Sequence, residues 1–317
     1  MAEPGEAFGL VENQRDTAPS AVVLRVIRGI EEPVSAAPII IAFLSTGRCG
    51  TQWLTAGLRQ LHPEFEVEHE PIGPLYKPRQ YFRRYADPEA LLEVPEIARH
   101  VEWIARRPGP YAETGWPVFP ALPLLARRFP DRLRIVHLTR HPVPTALSHL
   151  AHNSYAGSPR DDAYTQWATL GPSDAGVFQP EYAARWEGLS PYQRCLFWWT
   201  EVHRYGLEVS ERLKGIPLIR SRAEQLLSGE RSALARLLRF MGLEWREEWL
   251  EHASQIVDRW HHHTDAPVDP LQVLEHPLTV QTAFELGYDV AQLDVLALEA
   301  RYRGTPNAGL DRVGRYT

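Results

Sequence analysis

The stretch that decides the fold is Pro38-Ile-Ile-Ile-Ala-Phe-Leu-Ser-Thr-Gly-Arg-Cys-Gly-Thr-Gln-Trp53. Residues 39–44 form an unbroken apolar run with no polar alternation, which predicts a strand buried on both faces of a parallel sheet. Turn formers fill Ser45 to Thr51, and beyond them Leu54, Leu58 and Leu61 recur at helical spacing. The order is therefore strand, tight loop, helix. Gly47 and Gly50 let the backbone turn sharply, so that successive N–H groups and the helix N-terminus can face one anion. Arg48 adds a fixed charge and Thr51 a hydroxyl donor. An ordinary strand-to-helix turn suits the same residues equally well.

Moving outward, the unit recurs. Residues 134–139 (RIVHLT) predict a strand, Arg140-His141-Pro142 a turn, and residues 144–150 a helix with proline in its first turn. Residues 216–220 are a third strand candidate. A helix after Ser228-Gly229 carries Leu234, Leu237, Leu238 and Met241 on one face and is closed by Gly242. Another opens at Ser190-Pro191 and turns Tyr192, Cys195, Leu196, Trp199, Val202 and Leu213 toward a core. Strands alternating with helices predict a doubly wound α/β sheet. Residues 1–35 read as an N-terminal extension and residues 36–317 as one domain. Within it, residues 152–188 are rich in Gly, Pro, Tyr and Trp and read as an irregular, substrate-facing insertion.

Composition narrows the function. With 317 residues, 44 % hydrophobic and 23 % charged, the chain can bury a full core and is neither disordered nor fibrous. Its net charge is −6, without the basic face of a nucleic-acid binder. The longest uncharged stretch, residues 33–47, contains two prolines and is too short to span a bilayer. Two cysteines make no disulfide framework, and the acidic N-terminus is no secretory signal, so the expectation is a cytoplasmic protein. Of 34 basic side chains only Lys77 and Lys214 are lysines, leaving 32 arginines, so an arginine means something only through its position.

Position singles out two. Arg48 lies in the first loop, and Arg140 at the next strand end is followed by Ser148 in its helix; the two loops predict a ligand with two separated anionic groups at the carboxyl ends of the strands. The first loop is no G-x-x-x-x-G-K-[ST], which argues against an ordinary ATPase or kinase. Cys49 has no arginine downstream until Arg59, so a phosphatase-type nucleophile is disfavoured. His261-His262-His263 lacks partners at metal-ligand spacing.

Together these residues resemble the signature of sulfotransferases that use 3′-phosphoadenosine 5′-phosphosulfate (PAPS). Arg48, Gly50, Thr51 and Trp53 match that family's loop for the 5′-phosphosulfate, and Arg140, Pro142 and Ser148 match its R-[ND]-P-x-x-x-x-x-S segment for the 3′-phosphate. Arg222-Ala-Glu224-Gln-Leu226 with residues 239–243, and Arg259-Trp260 with Leu286-Gly-Tyr288, are similar to further family segments. The resemblance spans roughly residues 38–290. It implies a three-layer α/β fold of the P-loop NTPase type, with a mainly parallel sheet flanked by helices. It implies in-line sulfuryl transfer from PAPS to a hydroxyl or amine of a small-molecule, carbohydrate or natural-product acceptor, with no metal. Thr46, Gly47, Arg48, Cys49, Gly50, Thr51, Gln52, Trp53, Arg140, Ser148, Arg222, Arg259 and Trp260 would then hold the donor, Trp53 by stacking on the adenine.

The chain also departs from that pattern. Arg48 stands where the family often keeps lysine, Cys49 and Gln52 replace Ser and Thr, and the K-T-H-L-P segment with its base is absent. Three residues compete for the base: Glu70 first, by the glutamate that other branches keep after their second strand, then His69, then Glu113 near the missing segment. Alternation along residues 65–70 groups His69 with Phe65 and Val67, and Glu70 with the exposed Glu66 and Glu68. Two further readings stand beside a sulfotransferase: a P-loop phosphotransferase and a non-catalytic nucleotide-binding relative.

Overall fold

The computed structural model describes residues 38–73, 77–152, 154–155, 168–254, 268–293 and 298. The N-terminal extension, Arg259, Trp260, the histidine triplet and residues 156–167 of the insertion lie outside the described residues.

The apolar run at 39–44 forms β1 (Ile40–Leu44), all five residues buried. It leads through the glycine loop to α1 (Thr51–Leu61) and then β2 (Glu66–His69). The chain continues through α2 (Pro95–Ala105), β3 (Tyr111–Thr114), α3 (Leu122–Arg128), β4 (Leu133–Thr139) and α4 (Pro142–Leu150). The long α5 (Pro191–Arg212) precedes β5 (Leu218–Arg222), α6 (Ala223–Leu227), α7 (Arg231–Phe240), α8 (Glu248–Ala253) and α9 (Pro277–Glu285). These elements fall within one compact unit, Ser35–Thr317.

Among the described residues the strands form one parallel sheet in the order β2-β3-β1-β4-β5. Both faces are covered, so β1 has no polar side: Ile40, Ala42 and Leu44 pack with Ile97, Leu125, Trp198 and Val202, whereas Ile41 and Phe43 pack with Leu54, Leu58, Leu237 and Trp249. Each buried Ile, Leu, Val or Phe among them contributes about 1.5–3 kcal/mol by leaving water. No helix among the described residues is long and apolar enough to cross a membrane.

Several boundaries differ from the sequence expectation. β3 had no signal of its own, being four residues long with a glutamate inside it. β5 begins at Leu218 because Pro217 has no N–H to give a ladder; its carbonyl accepts from Ile135 N at 2.9 Å instead. α4 starts at Pro142 rather than Pro144, since the His141 ring accepts the Val143 N–H and caps the helix two residues earlier. Leu213 falls just past the end of α5 and is only half-buried.

Candidate active site

The order of the sheet places a topological switch point at β1, which has β3 on one side and β4 on the other. A ligand crevice in such sheets lies beyond the carboxyl ends of the strands, where the loops after β1 and β4 meet.

The β1–α1 loop is shaped by left-handed backbone at Gly47 (φ 78°), Arg48 (φ 58°) and Gly50 (φ 82°). A side chain at Gly47 would collide with the Trp116 ring, so the close approach requires glycine there. Arginine gains nothing from φ > 0, and that strain is held by its surroundings. Ser45 and Thr46 are fully buried, and Thr46 Oγ1 donates to Gly47 O at 2.8 Å. Cys49 Sγ donates to Gly47 O at 3.2 Å, and burial pushes its thiol up to about 11, so it is a protonated brace of the loop. Gly50 gives α1 no side-chain cap, and the first turn holds no acidic residue. A bound anion would complete that helix end. Gln52 is exposed in the same turn.

From β4 comes the second half. Arg140 Nη1 donates to Arg48 O at 2.8 Å, and Arg48 Nε donates to Ser148 Oγ on α4 at 2.8 Å. Residues 92 and 100 positions apart are thus joined into one cationic patch. Behind it, two adjacent indoles of α5 hold both loops: Trp198 Nε1 donates to Thr46 O at 3.0 Å and Trp199 Nε1 to Arg140 O at 2.9 Å. The expected amphipathic face of α5 included Trp199 but not Trp198; this helix is buried on more than one face, which a single-stripe pattern does not register. Glu224 fixes the β4 turn by accepting from His141 N at 2.7 Å and from the Tyr288 hydroxyl at 3.1 Å. Arg222, at the end of β5, stacks over Tyr288 at 4.3 Å, and its buried Nε has no hydrogen-bond partner among the described residues.

On the other side of β1 the strand ends carry the candidate bases. Thr51 Oγ1 lies 3.1 Å from His69 Nε2, and Glu70 Oε1 lies 3.9 Å from the same nitrogen. Burial, aided by the Arg59 charge, pushes His69 down to about 4, so the ring is neutral. Glu70 leaves the pleat at φ 51°, its N–H donating to Thr114 O at 2.9 Å. This turn swings its side chain back over Gly115 (φ 125°), where a Cβ would overlap Glu70 Cγ. The outward direction that alternation gave Glu70 is therefore reversed by one left-handed residue. Its side chain is 17 % exposed.

Two further candidates lie in packed surroundings. Glu113, one residue before the end of β3, pairs with Ala42 of β1, is 2 % exposed, and lies 2.7 Å from His100 Nε2, so its carboxylate braces α2. Trp53 is 3 % exposed, stacks on His252 at 4.9 Å and gives its N–H to His252 O, so it packs into the core beside α8. Position 53 lies on the α1 face that meets α8, which only the packing of α8 reveals. Among the described residues no group of three His, Cys, Asp or Glu is placed to hold a metal ion.

Fold and site together define the class: a three-layer parallel α/β protein with two cationic loops at its switch point and a carboxylate beside them. No family model and no curated protein sequence matches the chain. Solved structures similar to it include sulfotransferases. The sulfotransferase domain from the curacin biosynthetic pathway has a TM-score of 0.45 and 17 % identity, over 80 % of this chain and 99 % of that one. The sulfotransferase domain from the Synechococcus PCC 7002 olefin synthase gives 0.42 and 17 %, over 82 % and 98 %. Mouse sulfotransferase SULT7A1 complexed with PAP gives 0.41 and 14 %, over 84 % and 91 %.

Proposed function

We propose that this protein is a PAPS-dependent sulfotransferase acting on a hydroxyl or amine of a small-molecule, carbohydrate or natural-product acceptor. The observation that carries the reading is the convergence of Arg48, Arg140 and Ser148 beside a carboxylate held over Gly115. Arg140 and Ser148 would hold the 3′-phosphate, with Arg222 near the same strand ends. Arg48, Thr51 and the N–H groups of the loop would hold the 5′-phosphosulfate.

Glu70 takes the proton of the acceptor as its oxygen or nitrogen bonds to sulfur. The bond from sulfur to the bridging oxygen breaks, and adenosine 3′,5′-bisphosphate leaves. Charge grows on the sulfuryl and bridging oxygens, where fixed donors stabilise it most. Arg48 can only stabilise that charge, because a guanidinium does not surrender its proton. No lysine stands in the loop to protonate the leaving group.

The test is thermal stabilisation by adenosine 3′,5′-bisphosphate compared with ATP–Mg²⁺. A specific ligand at 100 times its Kd adds about 2.7 kcal/mol. An equal shift with ATP–Mg²⁺ would favour a phosphotransferase, and no shift with the bisphosphate would sink the reading.

A further inference from the structure

His69 lies between the two halves of the site, with Thr51 of the anion loop and Glu70 of the acid corner each within 4 Å of its Nε2, at 3.1 and 3.9 Å. What it does there depends on where its single proton sits. A neutral imidazole donates from one nitrogen and accepts at the other. Both neighbours of Nε2 are oxygens, one of them on a carboxylate. A proton on Nε2 therefore meets an acceptor and a negative charge. A proton on Nδ1 would turn the Nε2 lone pair toward that carboxylate and draw the only hydroxyl hydrogen of Thr51 into the ring. Thr51 would then show an anion nothing but oxygen lone pairs.

We propose that His69 is a positioning residue whose Nε2–H donates to Thr51 Oγ1, freeing the Thr51 hydroxyl proton to point at the 5′-phosphate end of the sulfuryl donor. This rests on the sulfotransferase reading. It commits Nε2 to the Thr51 contact, so that nitrogen cannot take a proton from the substrate, and Glu70 stays the first candidate for that role. The surroundings hold the ring for this task. Thr114, its register partner on β3, donates its hydroxyl to Glu68 O and so fixes the end of β2. Arg59 of α1 clamps the same strand through Val67 O at 2.8 Å and Glu68 at 3.1 Å, and its charge disfavours a second proton on the ring. Thr51 itself is 5 % exposed at the first position of α1, where a bound anion would meet the helix end.

The experiment measures the Kd of adenosine 3′,5′-bisphosphate by calorimetry for wild type, His69→Leu, His69→Gln, Thr51→Val and the double variant H69L/T51V. Glutamine keeps an N–H at the place of Nε2, whereas leucine keeps only the bulk. H69L and T51V should each weaken binding about tenfold. The double variant should be no weaker than either single one, because both remove the same bond to the phosphate. H69Q should recover most of what H69L loses, and a melting curve without ligand separates loss of fold from loss of contact. Additive losses, wild-type affinity in H69L, or an H69Q as weak as H69L would overturn the role of His69 while leaving the sulfotransferase reading intact. A wild type that does not bind the bisphosphate would overturn both.

Discussion

The two sides of β1 are built from the same kind of unit yet carry opposite chemistry. Toward β4 and β5 the strand ends present Arg140, Arg222 and the hydroxyl of Ser148, with Arg48 leaning onto that serine. Toward β3 and β2 they present a neutral His69 and the carboxylate of Glu70. The supports differ too. Two buried indoles hold the cationic side through backbone carbonyls, whereas on the acidic side the left-handed Glu70 folds over a glycine at the end of a strand that Arg59 and Thr114 clamp. The lesson is that the carboxyl end of a single sheet can separate a cationic half from an acidic half, with Thr51 and His69 in contact between them. The proposed reaction needs both halves at once.

That contrast can be broken from either side. Glu70→Gln keeps the shape and removes the base, so turnover of any acceptor the wild type sulfates should fall by about 10²–10⁴. Bisphosphate affinity should stay unchanged, and joint loss of both would mean that the halves are not separate. Arg140→Ala should do the reverse, weakening bisphosphate binding about a hundredfold by removing a charged donor and the tie to the Arg48 carbonyl. Gly115→Ala meets Glu70 Cγ and a φ of 125°, and should cost about 2 kcal/mol in a denaturation experiment while displacing the base. A melting point equal to wild type would show that Glu70 does not lie over this glycine.

Acid tests both sides together. Burial pushes His137 and His149 down to about 3 and His69 to about 4, all below the ordinary value of 6.5. The unfolded chain therefore takes up these protons first, and stability falls as pH drops below 6.5, by about 1.4 kcal/mol per pH unit for each ring. Glu201 acts in the opposite sense: burial raises its carboxyl to about 7, so its contribution is lost as pH rises toward that value. A denaturation midpoint flat between pH 6.5 and 4 would contradict the burial of the rings. The smallest effect belongs to Cys49→Ser, which should change bisphosphate binding less than twofold, about 0.4 kcal/mol. Rapid alkylation of Cys49 would contradict its role as a buried brace.

Much of the fold was legible because its signals are local and long enough to repeat. The apolar run of β1, the leucines of α1 and the Ser190-Pro191 opening of α5 each declare themselves within a few residues. β3 did not, because four residues with an internal glutamate carry no period. Arg48, Arg140 and Ser148 were legible as members of two loops. That the first would bond the third was not, since the contact bridges 100 positions. Glu70 could be nominated but not aimed, because a pleat predicts direction only while the strand lasts.

By itself, then, the sequence determined where β1, α1, β4, α4, α5 and α7 lie to within a few residues, that β1 is covered on both faces, and which loops carry charge. All of these follow from hydrophobic periodicity and turn chemistry acting over a few neighbours. The tertiary structure alone decided that Trp53 packs in the core, that Glu113 braces α2, that Trp198 and Trp199 hold the cationic loops, and that Glu70 and His69 flank Thr51. Those outcomes depend on which distant element fills the space beside a side chain. That is settled by packing the whole core, not by the residues on either side in the chain.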